Sequence, residues 1–81
     1  MLETTTDVLQ QLREIIRAEA RLPIATLHPE TTLQDLGLDS LARVRVLVAV
    51  ERKYGIDVDE KRAAQILKVG DFVELIETAD R

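Results

Sequence analysis

Val8, Leu12, Ile15, Ile16 and Ala20 recur at helical spacing among polar neighbours, the apolar stripe of an amphipathic helix. The pattern predicts a first helix over about residues 7–20, with Thr6 or Asp7 available as its N-cap. Pro23 interrupts it, and Leu22 through Leu36 holds both prolines, His28, the Thr31-Thr32 pair and only scattered apolar residues. That stretch reads as a long loop, of a length that is often functional. A second helix is expected over 40–54, capped by Asp39 and stopped by Gly55 in a left-handed conformation. The run Val44-Arg45-Val46-Leu47-Val48-Ala49-Val50 is β-branched and begins in alternation, which by propensity also suits a buried strand. Helix is preferred because the segment between its caps is long for a strand and has no second strand to pair with. Leu41, Val44, Leu47 and Val48 also fit helical spacing. Asp59 caps a short, weakly held third helix over 59–67, with Ala63, Ile66 and Leu67 as a narrow apolar edge. After a break at Gly70, Asp71 caps a last helix over 71–79, which carries Phe72, Leu75, Ile76 and Ala79 on one face. The fold class expected is all-α, one domain over residues 1–81 with three longer helices, one short helix and a long loop between the first two.

Composition narrows what such a domain can hold. At this length folding removes only about 60–65% of the unfolded chain's surface from water, so the core must be simple. With 46% hydrophobic but 2% aromatic residues, it is built from Leu, Val, Ile and Ala. A deep pocket for a large planar cofactor is disfavoured. The sequence has no cysteine, which excludes disulfides and thiolate metal sites and suits a cytoplasmic setting. Met1 to Val8 lacks the basic and apolar regions of a secretory leader, and no apolar run approaches the roughly 20 residues that span a bilayer. A net charge of −4, from 15 acidic and 11 basic residues, argues against nucleic acid and anionic membrane as partners.

Candidate chemistry concentrates at Ser40, which stands where the long loop meets the second helix. Its hydroxyl there is reachable, and backbone N–H groups with the positive end of the helix dipole favour a phosphate by roughly 0.3–1 kcal/mol. Taken alone, Asp39-Ser40-Leu41 requires nothing more than an N-cap. No His or Lys adjoins Ser40 in sequence, and an unactivated hydroxyl is a poor nucleophile, so another protein must activate it.

Longer stretches carry more information: Pro29-Glu30-Thr31-Thr32-Leu33, Asp35-Leu36-Gly37-Leu38-Asp39-Ser40-Leu41, Val50-Glu51-Arg52-Lys53-Tyr54-Gly55-Ile56-Asp57-Val58 and Val69-Gly70-Asp71-Phe72. In this order they resemble the acyl carrier proteins, the phosphopantetheine-binding carrier family, over nearly all of residues 7–79. The resemblance is to the freestanding type. It implies a four-helix acyl-carrier bundle and a non-enzymatic carrier with 4′-phosphopantetheine joined from coenzyme A to Ser40. The absence of cysteine would leave the thiol of that group without a competitor. Acyl groups would travel on it as thioesters to enzymes of polyketide, other natural-product or fatty-acid biosynthesis. Expected partners are a phosphopantetheinyl transferase, which brings its own divalent metal, an acyl-loading ligase or transacylase, and a ketosynthase or other acyl-processing enzyme. The carrier would be a monomer and bind no metal. Asp39 and the start of the second helix are implied as the transferase's docking site, with Leu41, Val44 and Arg45 beside it. Val48, Val58 and Ala63 are expected to line a shelter for a short acyl chain between the second and third helices.

One departure stands out. Many fatty-acid carriers resemble one another in an acidic second helix, whereas here Arg43, Arg45, Arg52 and Lys53 face only Glu51. They read either as solvated positions with i, i+4 neighbours or as a face for neutral or acidic partners. The second reading points as much to a polyketide-type carrier as to a fatty-acid one. Asp39 before Ser40 favours acyl over peptidyl or aryl carriers, in which Gly-Gly-His-Ser is commoner. A helical protein- or DNA-interaction module is the competing reading of the basic helix, and net acidity opposes it. A serine hydrolase is disfavoured because His28 is the sole histidine and reads as a loop residue. The Asp57, Asp59 and Glu60 cluster is explained by capping and solvation rather than a cation.

Overall fold

The computed structural model describes residues 5–21 and 27–79. Four helices follow one another: α1 Thr5–Ala20, α2 Ser40–Tyr54, α3 Glu60–Ala63 and α4 Val69–Ala79. The three longer helices pack on one another, α1 most extensively on α2. Val8, Leu12 and Ile16 of α1, Val46 and Val50 of α2, and Phe72, Val73, Leu75 and Ile76 of α4 form one apolar cluster. No polar or charged residue is buried among the described residues. Aliphatic side chains supply most of the core, as composition requires, yet its largest fully buried side chain is Phe72. Between α1 and α2, the Tyr54 hydroxyl donates to Gln11 Oε1.

α2 has the expected limits because both caps are local devices. Asp39 has extended backbone, and its Oδ1 accepts from Ala42 N–H at 2.8 Å. Gly55 ends the helix at φ 66°, with its N–H on Glu51 O. The strand reading of Val44–Val50 is thereby set aside.

Other boundaries differ from expectation. α1 already begins at Thr5, so Thr6 and Asp7 lie inside it rather than at the position ahead of it, which falls outside the described residues. Asp7 instead sits in the first turn, where a carboxylate suits the helix dipole. α1 stops at Arg21, which adopts φ 57°; Pro23, expected as the interruption, lies outside the described residues. α3 ends at Ala63, not Leu67. Asp59 caps it as expected, Oδ1 to Arg62 N–H at 2.7 Å, but the segment after it is drawn into other hydrogen bonds. Leu67 O accepts from Leu33 N–H at 2.9 Å, and Leu67 and Lys68 N–H both donate to Asp71 Oδ2. α4 accordingly starts at Val69, not Asp71. Asp71 is its third residue and reaches back over the N-terminus, as the acidic member of a capping box does.

The described part of the long loop is tied down rather than structureless. Leu27, Leu33 and Leu38 are buried, and Thr32 and Lys68 form an isolated antiparallel bridge. Val69 N–H donates to Thr31 O and Gly70 N–H to Pro29 O at 2.7 Å. Gly70 is therefore a helix residue and not a break. A Cβ there would lie 2.9 Å from Pro29 O, so glycine lets loop and helix touch. Gly37, at φ 83°, makes the left-handed turn that buries Leu38 and presents Asp39 and Ser40 outward.

Candidate functional site

Ser40 is the first residue of α2 and is exposed; the sequence has no other serine. Its position follows from the turn at Gly37, the buried anchor Leu38 and the cap at Asp39. Asp39's carboxylate is spent on Ala42 N–H, and His28 lies exposed in the loop. Among the described residues no side chain hydrogen-bonds the Ser40 hydroxyl, so nothing there activates it as a nucleophile. An exposed hydroxyl at a helix N-terminus, free of internal partners, fits a phosphodiester, whose charge meets the helix's unsatisfied N–H groups.

Ser40 stands at the mouth of an open apolar cleft of about 340 Å³ between α2, α3 and the loop that follows α3. Arg43, Val44 and Leu47 line it from α2, at i+3, i+4 and i+7 from Ser40, one face of the helix. Ala63, Ala64, Ile66 and Leu67 form the opposite wall, with Leu33 and the edge of Phe72 completing it. Of the expected lining, Ala63 is present, but Val48 and Val58 do not line the cleft. Val48 is turned about 100° from Leu47 around the helix. Val58 packs on the core with its N–H bonded to Glu51 Oε2 at 2.9 Å. Leu47 could have been read from its spacing to Ser40, whereas Leu33 and Phe72 arrive through the tertiary fold and leave no local signal.

The residues expected as a docking patch lie on the outer surface of α2 and just ahead of it. Leu41 is 59% and Val44 56% exposed, and Asp39 and Arg45 are exposed beside them. Leu67, across the cleft, is 60% exposed, so the expected apolar edge of α3 divides into buried Ile66 and solvent-facing Leu67. The helix carries four cations and one anion, a net charge of +3 within a chain of −4. The cations are not equivalent. Arg43 is half-buried with Nε on Leu38 O at 3.2 Å, Lys53 lies 5.9 Å from the centre of the Tyr54 ring, and Arg45 and Arg52 are exposed. Asp59 is occupied as a cap, and among the described residues no group of three or more His, Asp or Glu side chains is placed to hold a metal. No helix there is long and apolar enough to cross a membrane.

Comparison with known proteins agrees with this geometry. Residues 10–76 match the family described as phosphopantetheine attachment site. Acyl carrier protein 3 of Ralstonia nicotianae is 38% identical over 73 residues, 89% of this chain and 84% of that protein. The acyl carrier protein of Acidothermus cellulolyticus is 36% identical over 74 residues, 90% and 88% of the two chains. In fold, the crystal structure of an acyl carrier protein from Thermotoga maritima superposes with a TM-score of 0.86 at 19% identity, covering 93% of this chain and 88% of that one.

Proposed function

The chain belongs to the acyl carrier proteins of the phosphopantetheine-attachment family, carriers and not enzymes, with a covalently attached 4′-phosphopantetheine, and from that premise we propose that Ser40 bears the group. The observation that carries this reading is the sequence's sole serine standing exposed and unpartnered at the start of α2, at the mouth of an apolar cleft. When bound, the group supplies a terminal thiol on a flexible arm, which holds acyl groups as thioesters and moves them between separate active sites. Ser40 itself is passive: with no base against it, its hydroxyl is activated by the transferase that modifies it. Leu33, Val44, Leu47, Ala63 and Phe72 give the acyl chain a surface away from water, and Ala63 keeps the wall low.

Asp39, Leu41, Val44 and Arg45 form the docking patch for that transferase and for the loading and acyl-processing enzymes. Two exposed aliphatic side chains next to the attachment point supply the apolar centre of a small interface, and charge at its rim sets which partners approach. The net positive charge of α2 suits neutral or acidic partner surfaces, which favours a polyketide-type or other natural-product system over a fatty-acid one. Incubation with coenzyme A and a broad-specificity phosphopantetheinyl transferase should add one phosphopantetheine to the wild-type mass and none to Ser40→Ala. A gain that survives in the variant removes Ser40 from the role.

A further inference from the structure

Among the described residues Arg43 is the only cation lining the cleft that opens at Ser40. It follows Ser40 by three residues on the same face of α2. Its side chain does not extend into solvent. Nε donates to Leu38 O, the carbonyl just ahead of Asp39, at 3.2 Å, and this bond holds the guanidinium over the N-terminal turn. Arg45, two residues on and about 200° round the helix, is exposed by contrast. With Nε engaged, the Nη1–Nη2 edge retains its donors and meets no acceptor among the described residues. Glu60 lines the cleft from α3 but forms no ion pair with Arg43. A half-buried guanidinium, fixed at one nitrogen and open at two others, is arranged to accept an anion from outside the chain. A planar fork of this kind binds phosphate oxygens in pairs.

We propose that Arg43 is a positioning residue for the prosthetic arm: its Nη edge binds the phosphodiester borne on Ser40 and so aims the arm along the cleft. The inference rests on the assignment of Ser40 as the attachment residue. Leu38 holds Arg43, Arg43 holds the phosphate, and the apolar wall from Val44 to Leu47 begins immediately beyond. The exposed Arg45 is outside this arrangement and belongs to the docking face.

The test uses full-length holo protein made with coenzyme A and a broad-specificity transferase. Intact mass comes first: no gain on the wild type, or a gain that survives in Ser40→Ala, overturns the attachment reading and this inference with it. On fully modified protein, the phosphorus-31 resonance is then compared in wild type, Arg43→Gln, Arg43→Lys and Arg45→Gln, each shown to be folded by circular dichroism. Arg43→Gln should shift the resonance towards its position in urea-unfolded holo protein, and high salt should shift the wild-type signal the same way. Arg43→Lys, which keeps the charge but has neither the Leu38 anchor nor the fork, should fall between the wild type and Arg43→Gln, and Arg45→Gln should leave the wild-type position unchanged. A resonance indifferent to Arg43→Gln, or moved equally by Arg45→Gln, overturns the role of Arg43 while leaving Ser40 in place. The Arg43 Nε–Hε signal of the wild type, followed from apo to holo, needs no variant; it should move on modification, and an unchanged signal also overturns the proposal.

Discussion

Val46 and Val50 lie on the side of α2 that joins the core shared with α1 and α4, and both are fully buried; Leu41 and Val44, on the same helix, are more than half exposed. The buried side is sealed by two long helices. The side towards α3 is covered only by a four-residue helix and by a loop whose Leu67 O accepts from Leu33 N–H, ahead of the bonds from Val69 and Gly70 of α4 to Thr31 and Pro29. One helix thus divides its work between faces. Packing of side chains from two long helices leaves Val46 and Val50 no exposure, whereas a short helix and a pinned loop leave a cleft beside Ser40.

Phe72 is where the two faces meet, being fully buried and also part of the cleft. Phe72→Ala should have the largest effect on stability, a loss of about 3–5 kcal/mol in urea denaturation. A loss below about 1 kcal/mol would show that the core side does not depend on it. Asp39→Ala should cost about 1 kcal/mol, because Ala42 N–H loses its acceptor, while Asp39→Asn should keep most of it. Equal losses in the two variants would detach the effect from capping. The smallest change in stability, within about 0.5 kcal/mol, is expected for Leu41→Ala and Val44→Ala. In both, the rate of modification by the transferase should fall despite unaltered stability. Melting as damaging as that of Phe72→Ala would erase the distinction between the faces.

The same division marks what could be read from the sequence. The caps of α2 and α3 are set by neighbours within a few residues, so Asp39, Gly55 and Asp59 announced themselves. The stripe of α1 and the apolar face of α4 were legible for the same reason. The end of α3 was not, because Leu67 leaves the helix to meet Leu33, a partner more than thirty residues away in the chain. Asp71 looked like the first cap of α4 because a capping box places its acidic residue inside the helix, three positions past the N-cap, here Lys68. Val48 and Val58 lie off this cleft, the first through helix phase and the second through a core contact. Ala63 lies on the cleft wall opposite Val44 and Leu47 of α2. Leu33 and Phe72 reach the cleft only through the assembled fold. The basic character of α2 was visible at once, but the separation of Arg43 from Arg45 needed the bond to Leu38.

The central claim is that Ser40 bears the phosphopantetheine, and fragmentation mass spectrometry of proteolysed holo protein tests it most directly. The added phosphodiester should be on the peptide containing Ser40, localised to that residue. Localisation to a threonine such as Thr31, Thr32 or Thr78, with Ser40 unmodified, would contradict it.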